Sequence, residues 1–206
     1  MGIRGYRLIM HKQERIGTVL QPSEEIEVYF REKPHSVFMH WLRGQRKAES
    51  VLYVDGENGG QMLAKPTGIG GLFVKVAARD PEGDDAKQSG RYSLREFGLR
   101  NNMVRTIKYW KAAKEKGALE VKYLGVRKVR EAGDRLCYTL RRFCKEPEDD
   151  GCTEMTFYID KETWFRVGAV LKGEGGKLMG EYMFRDIQIN PEFKPNQFKP
   201  AILSGS

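Results

Sequence analysis

Alternating hydrophobic and polar residues predict that the first half of the chain forms β-strands joined by short turns. Between residues 25 and 31 the side chains alternate with a period of two, which places Ile26, Val28 and Phe30 on one face. Residues 36–42 are apolar on both faces, as expected for a strand that is covered on both sides. These patterns predict the start of a twisted antiparallel sheet.

One long helix is predicted between two groups of strands. Its start has two candidates, because Ser93 and Glu96 fit a capping box whereas Gly98 favours a start after that glycine. The apolar positions recur at helical spacing, and they are Leu99, Met103, Ile107, Trp110 and Ala113. The opposite side and its flanks are basic, with Arg100, Arg105, Lys108, Lys111 and Lys116. Most helices of this kind pack on a protein core, and some lie on a lipid surface.

The second half of the chain predicts five more strands in a meander, with turns at residues 131–134 and 160–163. Alternation in these strands gives inward-facing sets, which include Leu136, Tyr138 and Leu140 on one strand, Phe157 on the next and Val167 on the one after. Ten or eleven strands with one main amphipathic helix predict a mainly β (α+β) fold. The expected architecture is a strongly curved antiparallel sheet, or a half-open barrel, whose concave face the helix covers.

The positive charge is concentrated in one part of the chain. The formal net charge is +8, and residues 91–130 hold 12 Lys and Arg against 3 Glu, which gives +9 there and −1 in the remainder. This pattern favours an anionic partner, such as a membrane surface, a nucleic acid or an acidic protein. The alternative is an ordinary solvated surface. The candidate basic surface consists of Arg100, Arg105, Lys108, Lys111 and Lys128.

Motifs that would indicate an enzyme, a metal site or a cofactor site are missing from the sequence. It contains no nucleophile elbow, no HExxH and no phosphate-binding glycine loop, so a non-enzymatic protein without cofactor or metal is expected. Tyr109, Trp110 and Tyr123 lie near basic residues, yet no RNA-binding strand signature, zinc finger or helix-turn-helix accompanies them. Specific nucleic-acid binding is therefore not expected, although the basic region keeps it as an alternative.

Two of the three cysteines are candidates for a disulfide. Cys144 and Cys152 flank a predicted turn between two strands, and opposed cysteines in a hairpin can form a bridge in an oxidising compartment. Cys137 would then remain as a buried thiol. The alternative is three reduced core cysteines.

Several segments together resemble a bacterial family known as domain of unknown function 1571. They are KQERIG (12–17), FREKPHSVFMHWL (30–42), ESVLYVDGENGG (49–60), RYSLREFGL (91–99), FYIDKETWFRVG (157–168) and EYMFRDIQINPEFKPNQF (181–198). The resemblance covers residues 5–198, which are expected to form a single LolA-like curved-sheet domain. Residues 199–206 are expected to form a flexible tail.

The resemblance implies a fold similar to that of lipoprotein carriers, which include carriers and sensors of lipids or lipidated proteins. A location in the periplasm or cell envelope follows from it. Family members usually have a signal peptide and often a helix before the first strand. Neither is found ahead of the first predicted strand here, so a mature or shortened form is one expectation and a cytoplasmic protein is the other.

The residues and the resemblance agree on a hydrophobic cavity that an acyl chain could enter. Its predicted lining is Ile26, Val28, Phe30, Met39, Trp41, Met103, Ile107, Leu140, Phe157 and Val167. The first hypothesis is a lipid or lipoprotein carrier or sensor, with a lipid or acylated protein as partner and an anionic membrane meeting the basic surface. The alternatives are a structural or protein-interaction module whose sheet is filled by its own side chains, and a nucleic-acid binder that uses the basic surface.

Overall fold

The computed structural model of the protein describes residues 2–68, 75–148 and 151–204. Two α-helices are described in this part of the chain, a short α1 (Asp84–Lys87) and a long α2 (Leu99–Glu115). The strands are β1 (Gly5–Ile16), β2 (Val19–Leu20), β3 (Glu24–Arg31), β4 (Ser36–Arg43), β5 (Ala48–Val54), β6 (Met62–Pro66), β7 (Ala77–Arg79), β8 (Glu120–Val129), β9 (Arg135–Glu148), β10 (Cys152–Asp160), β11 (Arg166–Lys172) and β12 (Leu178–Ile189).

The strands belong to one antiparallel sheet in the order β7-β6-β5-β4-β3-β1-β12-β11-β10-β9-β8, with β2 paired to β1. β7 and β8 stand at the ends of this order, so the sheet is not closed within the described residues. The prediction of a mainly β, antiparallel fold is confirmed. In the described part of the chain the sheet has 12 strands rather than ten or eleven, because β2 and β7 contain only two and three residues, too few for a periodic pattern.

Contacts divide the chain into two compact units. The first comprises residues 1–10, 23–97 and 186–206, and therefore contains β3 to β7 and α1. Its β3 follows the predicted alternation, with every second residue buried from Glu24 to Phe30. Tyr6 stacks on Phe30 with ring centroids 4.7 Å apart, and Phe97 lies 6.2 Å from the same ring. The apolar face of β3 is thus packed by side chains of the same unit.

The opposite face of the first unit is covered by the C-terminal segment. Phe198 and Leu203 join Phe38, Leu52 and Val54 in one buried cluster, and Leu203 is only 1% exposed. Residues 200–204 form a 3-10 helix, so the predicted flexible tail is wrong over that range. The apolar side chains of this stretch, Phe198, Ile202 and Leu203, do not alternate with polar ones, which is why a strand pattern did not indicate this packing. Residues 205 and 206 of the predicted tail lie outside the described residues.

The second unit comprises residues 11–22 and 98–185, and contains α2 together with β8 to β11. The helix begins after Gly98, which is the second of the two predicted starts. Gly98 has a φ of 143°, a backbone conformation that glycine adopts without steric cost. The capping box is not formed, because the hydroxyl of Ser93 accepts the N–H of Arg95 in a turn instead.

Candidate functional site

The predicted cavity residues of the first unit form part of a packed face. Strand register places Ile26 opposite Trp41 and Val28 opposite Met39, so these side chains share a face with Phe30. All except Trp41 are buried, and the indole N–H of Trp41 donates to Glu24 Oε1 at 3.2 Å. The structure therefore brings these five residues together. Tyr6 and Phe97 pack on this face at Phe30.

In the second unit, Leu140 and Phe157 lie opposite one another on the strand face that α2 contacts. The ring of Trp110 lies 5.9 Å from that of Phe157, and Arg166 donates to the hydroxyl of Thr106 at 2.8 Å. These contacts fix which side of α2 meets the sheet. Met103 is half-buried beside this contact, and Val167 is fully buried at a register shift between β10 and β11.

Ile107 was predicted to line the apolar cavity, but 47% of its surface is exposed. On a helix with 3.6 residues per turn, Ile107 lies about 100° from Thr106, which faces the sheet. Only Leu99 and Ala113 of the 17 residues in α2 are buried. The helix is therefore held to the sheet by few apolar contacts.

Arg142 is the least expected residue on the apolar face beneath α2. Register places it opposite Met155 and diagonal to Phe157, and it is only 1% exposed. Its guanidinium donates to Glu148 at 2.6 Å, while its Nε and the other carboxylate oxygen of Glu148 are buried and have no hydrogen-bond partner among the described residues. The indole N–H of Trp110 is also buried and has no partner in the described part of the chain. This largely apolar face thus contains buried hydrogen-bond donors and an acceptor that are unsatisfied.

The outer side of α2 carries the predicted basic surface only in part. Arg100, Lys108 and Lys111 are exposed, whereas Arg105 is half-buried. Lys128 is separate from the helix and pairs with Asp134 at 3.3 Å. Apolar side chains also stand exposed on the helix, namely Val104, Ile107 and Tyr109. The helix surface is therefore cationic and partly apolar, rather than purely cationic.

Sequence reasoning missed an exposed group of apolar side chains at one end of the same strand face. Leu136 and Tyr138 were predicted to point inward with Leu140, but Leu136 is 52% exposed. The group, named here the aromatic cluster, consists of Tyr123, Val126, Leu136, Tyr138 and Trp164. Alternation identifies the face on which these residues lie, but not how far along that face the helix extends.

The three cysteines are thiols in the structure, which contains no bridge between Cys144 and Cys152. Register places Glu148 opposite Cys152. The predicted pairing in an oxidising compartment therefore stays a prediction. Cys137 is buried, and its burial, together with the nearby Asp160, raises the pKa of its thiol to about 11. A thiol with this pKa is a poor nucleophile at neutral pH.

Among the described residues no group of His, Cys, Asp and Glu has the arrangement of a metal site. Within the same ranges no helix combines the length and the apolar composition needed to cross a bilayer.

The family assignment follows from comparison of the whole sequence. A model of the family described as Protein of unknown function (DUF1571) matches residues 3–202. The chain belongs to the DUF1571 family. The resemblance found in the sequence is thereby confirmed. A comparison of this DUF1571 chain with curated proteins gives no match.

Solved structures with a similar fold include proteins of the MucB and LolA groups. The DUF1571 chain matches a chain of the Pseudomonas aeruginosa MucA/MucB complex with a TM-score of 0.54 and 14% identity, covering 97% of this chain and 56% of that one. A crystal structure of MucB matches with a TM-score of 0.52 and 13% identity, covering 95% and 57%. A LolA superfamily protein from Nitrosomonas europaea matches with a TM-score of 0.42 and 6% identity, covering 98% and 93%.

The present chain spans little more than half the length of the two MucA/MucB-related chains. At these identities the similarity concerns the fold alone. The description of the matching family names no enzymatic activity.

Proposed function

We propose that this DUF1571 protein is a non-enzymatic carrier or sensor of lipids or lipidated proteins in the bacterial cell envelope. The observation that carries the proposal is the arrangement of α2 in the second unit. The helix lies on an apolar strand face through Trp110 and Phe157, and presents cations and apolar side chains outward. An amphiphile has the complementary design, with an acyl chain for the strand face and an anionic head group for the cations.

The weak attachment of α2 supports a role as a movable cover. With only Leu99 and Ala113 buried, the helix loses little apolar burial when it lifts from the sheet. An acyl chain that enters beneath it would replace those contacts with its own. The unpaired Nε of Arg142 and the indole N–H of Trp110 would then donate to ester or amide oxygens next to the chain.

A second candidate function is a protein-interaction module whose sheet is filled by its own side chains. The first unit favours this alternative, because Tyr6 and Phe97 already pack on Phe30. MucB, whose fold is similar, has been crystallised in complex with MucA, so a protein partner is compatible with this architecture. A sensor that binds both a lipid and a protein would combine the two functions.

The direct test is native mass spectrometry of protein purified gently from a lipid-containing bacterial host. A carrier is expected to show an added mass of several hundred daltons that is lost on denaturation and is identified as a phospholipid or an acylated peptide. A protein that stays at its own mass after incubation with lipid micelles would contradict the proposal and favour the interaction module.

The basic surface is tested by charge reversal. Changing Arg100, Lys108 and Lys111 together to Glu should weaken binding to anionic vesicles at least tenfold at low salt, and less at high salt where charges are screened. A matched control changes Lys33, Lys47 and Lys87, three exposed lysines of the first unit, to Glu. If the two triple variants weaken vesicle binding equally, the net charge of the protein, rather than the position of the cations on α2, determines the binding. Salt-sensitive binding to DNA that only the first variant loses would instead favour the nucleic-acid alternative.

A further inference from the structure

The aromatic cluster is a continuous apolar surface on the outside of the second unit. Register places Tyr123 opposite Leu140 and Val126 opposite Tyr138. The ring centroid of Tyr138 lies 5.2 Å from that of Trp164 and 6.4 Å from that of Tyr123. Tyr123 is 58% exposed and Trp164 is 67% exposed. Contiguous exposed aromatic side chains are costly in water and mark surfaces that bind another phase or molecule.

The turn that carries Trp164 is built to hold this side chain outward. Trp164 has a φ of 61°, a left-handed conformation that is unfavourable for a bulky residue. The carboxylate of Asp160 accepts hydrogen bonds from the hydroxyl of Thr163, the N–H of Glu162 and the guanidinium of Arg135. The N–H of Trp164 in turn donates to the Asp160 carbonyl at 2.9 Å. A buried anchor therefore stabilises a strained backbone that exposes a tryptophan.

The cluster and the outer side of α2 belong to the same face of the second unit. Phe157, which contacts α2 through Trp110, shares its strand face with Leu140 and Tyr138, because positions two apart point the same way. A partner that covers this face would contact both surfaces. A lipid bilayer is such a partner, with an apolar layer beneath its head groups.

Charge distinguishes the two parts of this face. Two ion pairs lie next to the cluster, Lys128 with Asp134 and Arg135 with Asp160, beside its apolar and aromatic side chains. On α2, by contrast, Arg100, Lys108 and Lys111 are exposed. Cations beside Trp and Tyr side chains are complementary to an anionic bilayer, where aromatic rings settle at head-group depth.

We infer that the aromatic cluster is a membrane-docking surface, with Trp164 inserted at the head-group level of an anionic bilayer and the cations of α2 beside it. The inference rests on the proposed function for the choice of a lipid as partner. It goes further by stating that Tyr123, Tyr138 and Trp164 contact the bilayer rather than the carried molecule.

Substitution of Trp164 by Gly gives a sharp test, because glycine relieves the left-handed strain while removing the ring. The variant should be at least as stable to heat as the parent protein, since glycine tolerates a φ of 61°. Its binding to vesicles of phosphatidylcholine with phosphatidylglycerol should nevertheless be weaker by on the order of tenfold, owing to the lost aromatic burial. Leu42→Ser, at an exposed apolar position of the first unit, is the control and should bind like the parent.

The depth and nature of the contact are checked by fluorescence. Vesicles should shift the emission of the parent protein to shorter wavelength, and lipids brominated near the head group should quench it. The Trp164→Phe variant should lose most of that change. The loss of binding in Trp164→Gly should be similar at low and high salt, in contrast to charge reversal on α2.

The remaining outcomes separate this inference from the proposed function. Vesicle binding by Trp164→Gly equal to that of the parent, or no vesicle binding by the parent, overturns the docking surface. The docking surface is also overturned if Trp164→Gly binds vesicles normally but no longer co-purifies with the lipid, since Trp164 would then belong to the ligand site. If no lipid co-purifies with the parent but Trp164→Gly still loses vesicle binding, the carrier proposal fails and the docking surface stands.

Discussion

At the scale of single residues, Asp160 has the clearest structural role. It is 2% exposed and organises the turn between β10 and β11 through hydrogen bonds from Glu162, Thr163 and Arg135. Burial alone would raise the pKa of this carboxyl. The hydrogen bonds from Glu162 and Thr163 and the charge of Arg135 outweigh burial and lower the pKa below its ordinary value.

Replacing Asp160 with Asn should therefore lower the free energy of unfolding by about 2 kcal/mol at pH 7, the cost of losing a charge-assisted hydrogen bond in a buried site. The folded-state pKa lies below the unfolded one, so this contribution is present above about pH 4 and is lost as the pH falls through the folded pKa. Urea unfolding at pH 7 and at pH 3 should show the difference from the parent shrinking on acidification.

Asp134→Asn is the matched control for that measurement. The carboxylate of Asp134 pairs with Lys128 on the surface, and such pairs contribute about 0–1 kcal/mol. The role given to Asp160 would be contradicted if Asp134→Asn lowered the free energy of unfolding as much as Asp160→Asn does. It would also be contradicted if the effect of Asp160→Asn on that free energy did not change with pH.

The cysteines give a second prediction at this scale. With a pKa of about 11 and no exposed surface, the Cys137 thiol should resist alkylation at pH 8 until the protein unfolds. The half-buried Cys144 should react first, as peptide mapping by mass spectrometry would show. Denatured protein, in which all three react, is the control.

Protein that is about 2 Da lighter before reduction, with Cys144 and Cys152 unreactive, would reveal the predicted disulfide. Fast labelling of native Cys137 would contradict its burial.

At the scale of elements, the sequence predicted the strands better than the faces they present. Period-two alternation identified β3 and its buried set, because both residue type and spacing there point to one face. In β9 the same reasoning placed Leu136 inward, yet it is 52% exposed. Alternation assigns side chains to a face, whereas their exposure depends on what covers that face, and this is a tertiary property.

The long helix shows the same division. The spacing predicted its existence and left two candidate starts, of which the structure has the one after Gly98. Its rotation was predicted in part, since Trp110 of the predicted apolar stripe contacts Phe157, whereas Ile107 is exposed and Thr106 meets the sheet instead. A hydrogen bond between Arg166 and the threonine hydroxyl helps to set this rotation, and no hydrophobic pattern can reveal it. The aromatic cluster escaped prediction for a related reason, since its members come from β8, β9 and a turn.

At the scale of the whole molecule, family membership and the mainly β, antiparallel architecture could be predicted from sequence, because both rest on many weakly specific positions acting together. The contact units could not, since they depend on which distant segments pack together. The C-terminal segment is the clearest case. It looked like a tail, yet Leu203 is as buried as the central residues of β3.

Deletion of residues 199–206 tests the predicted end of the domain at residue 198. Removing Leu203 from the cluster with Phe38, Leu52 and Phe198 leaves a cavity, so unfolding should become easier by about 2–5 kcal/mol, the range for losing a large aliphatic side chain from a core. Thermal unfolding should show a clearly lower melting temperature. Leu203→Ala should reproduce most of the loss, and Lys199→Ala, at an exposed position of the same segment, should leave stability unchanged. A deletion of 199–206 without effect would restore the flexible tail and place the domain boundary near residue 198.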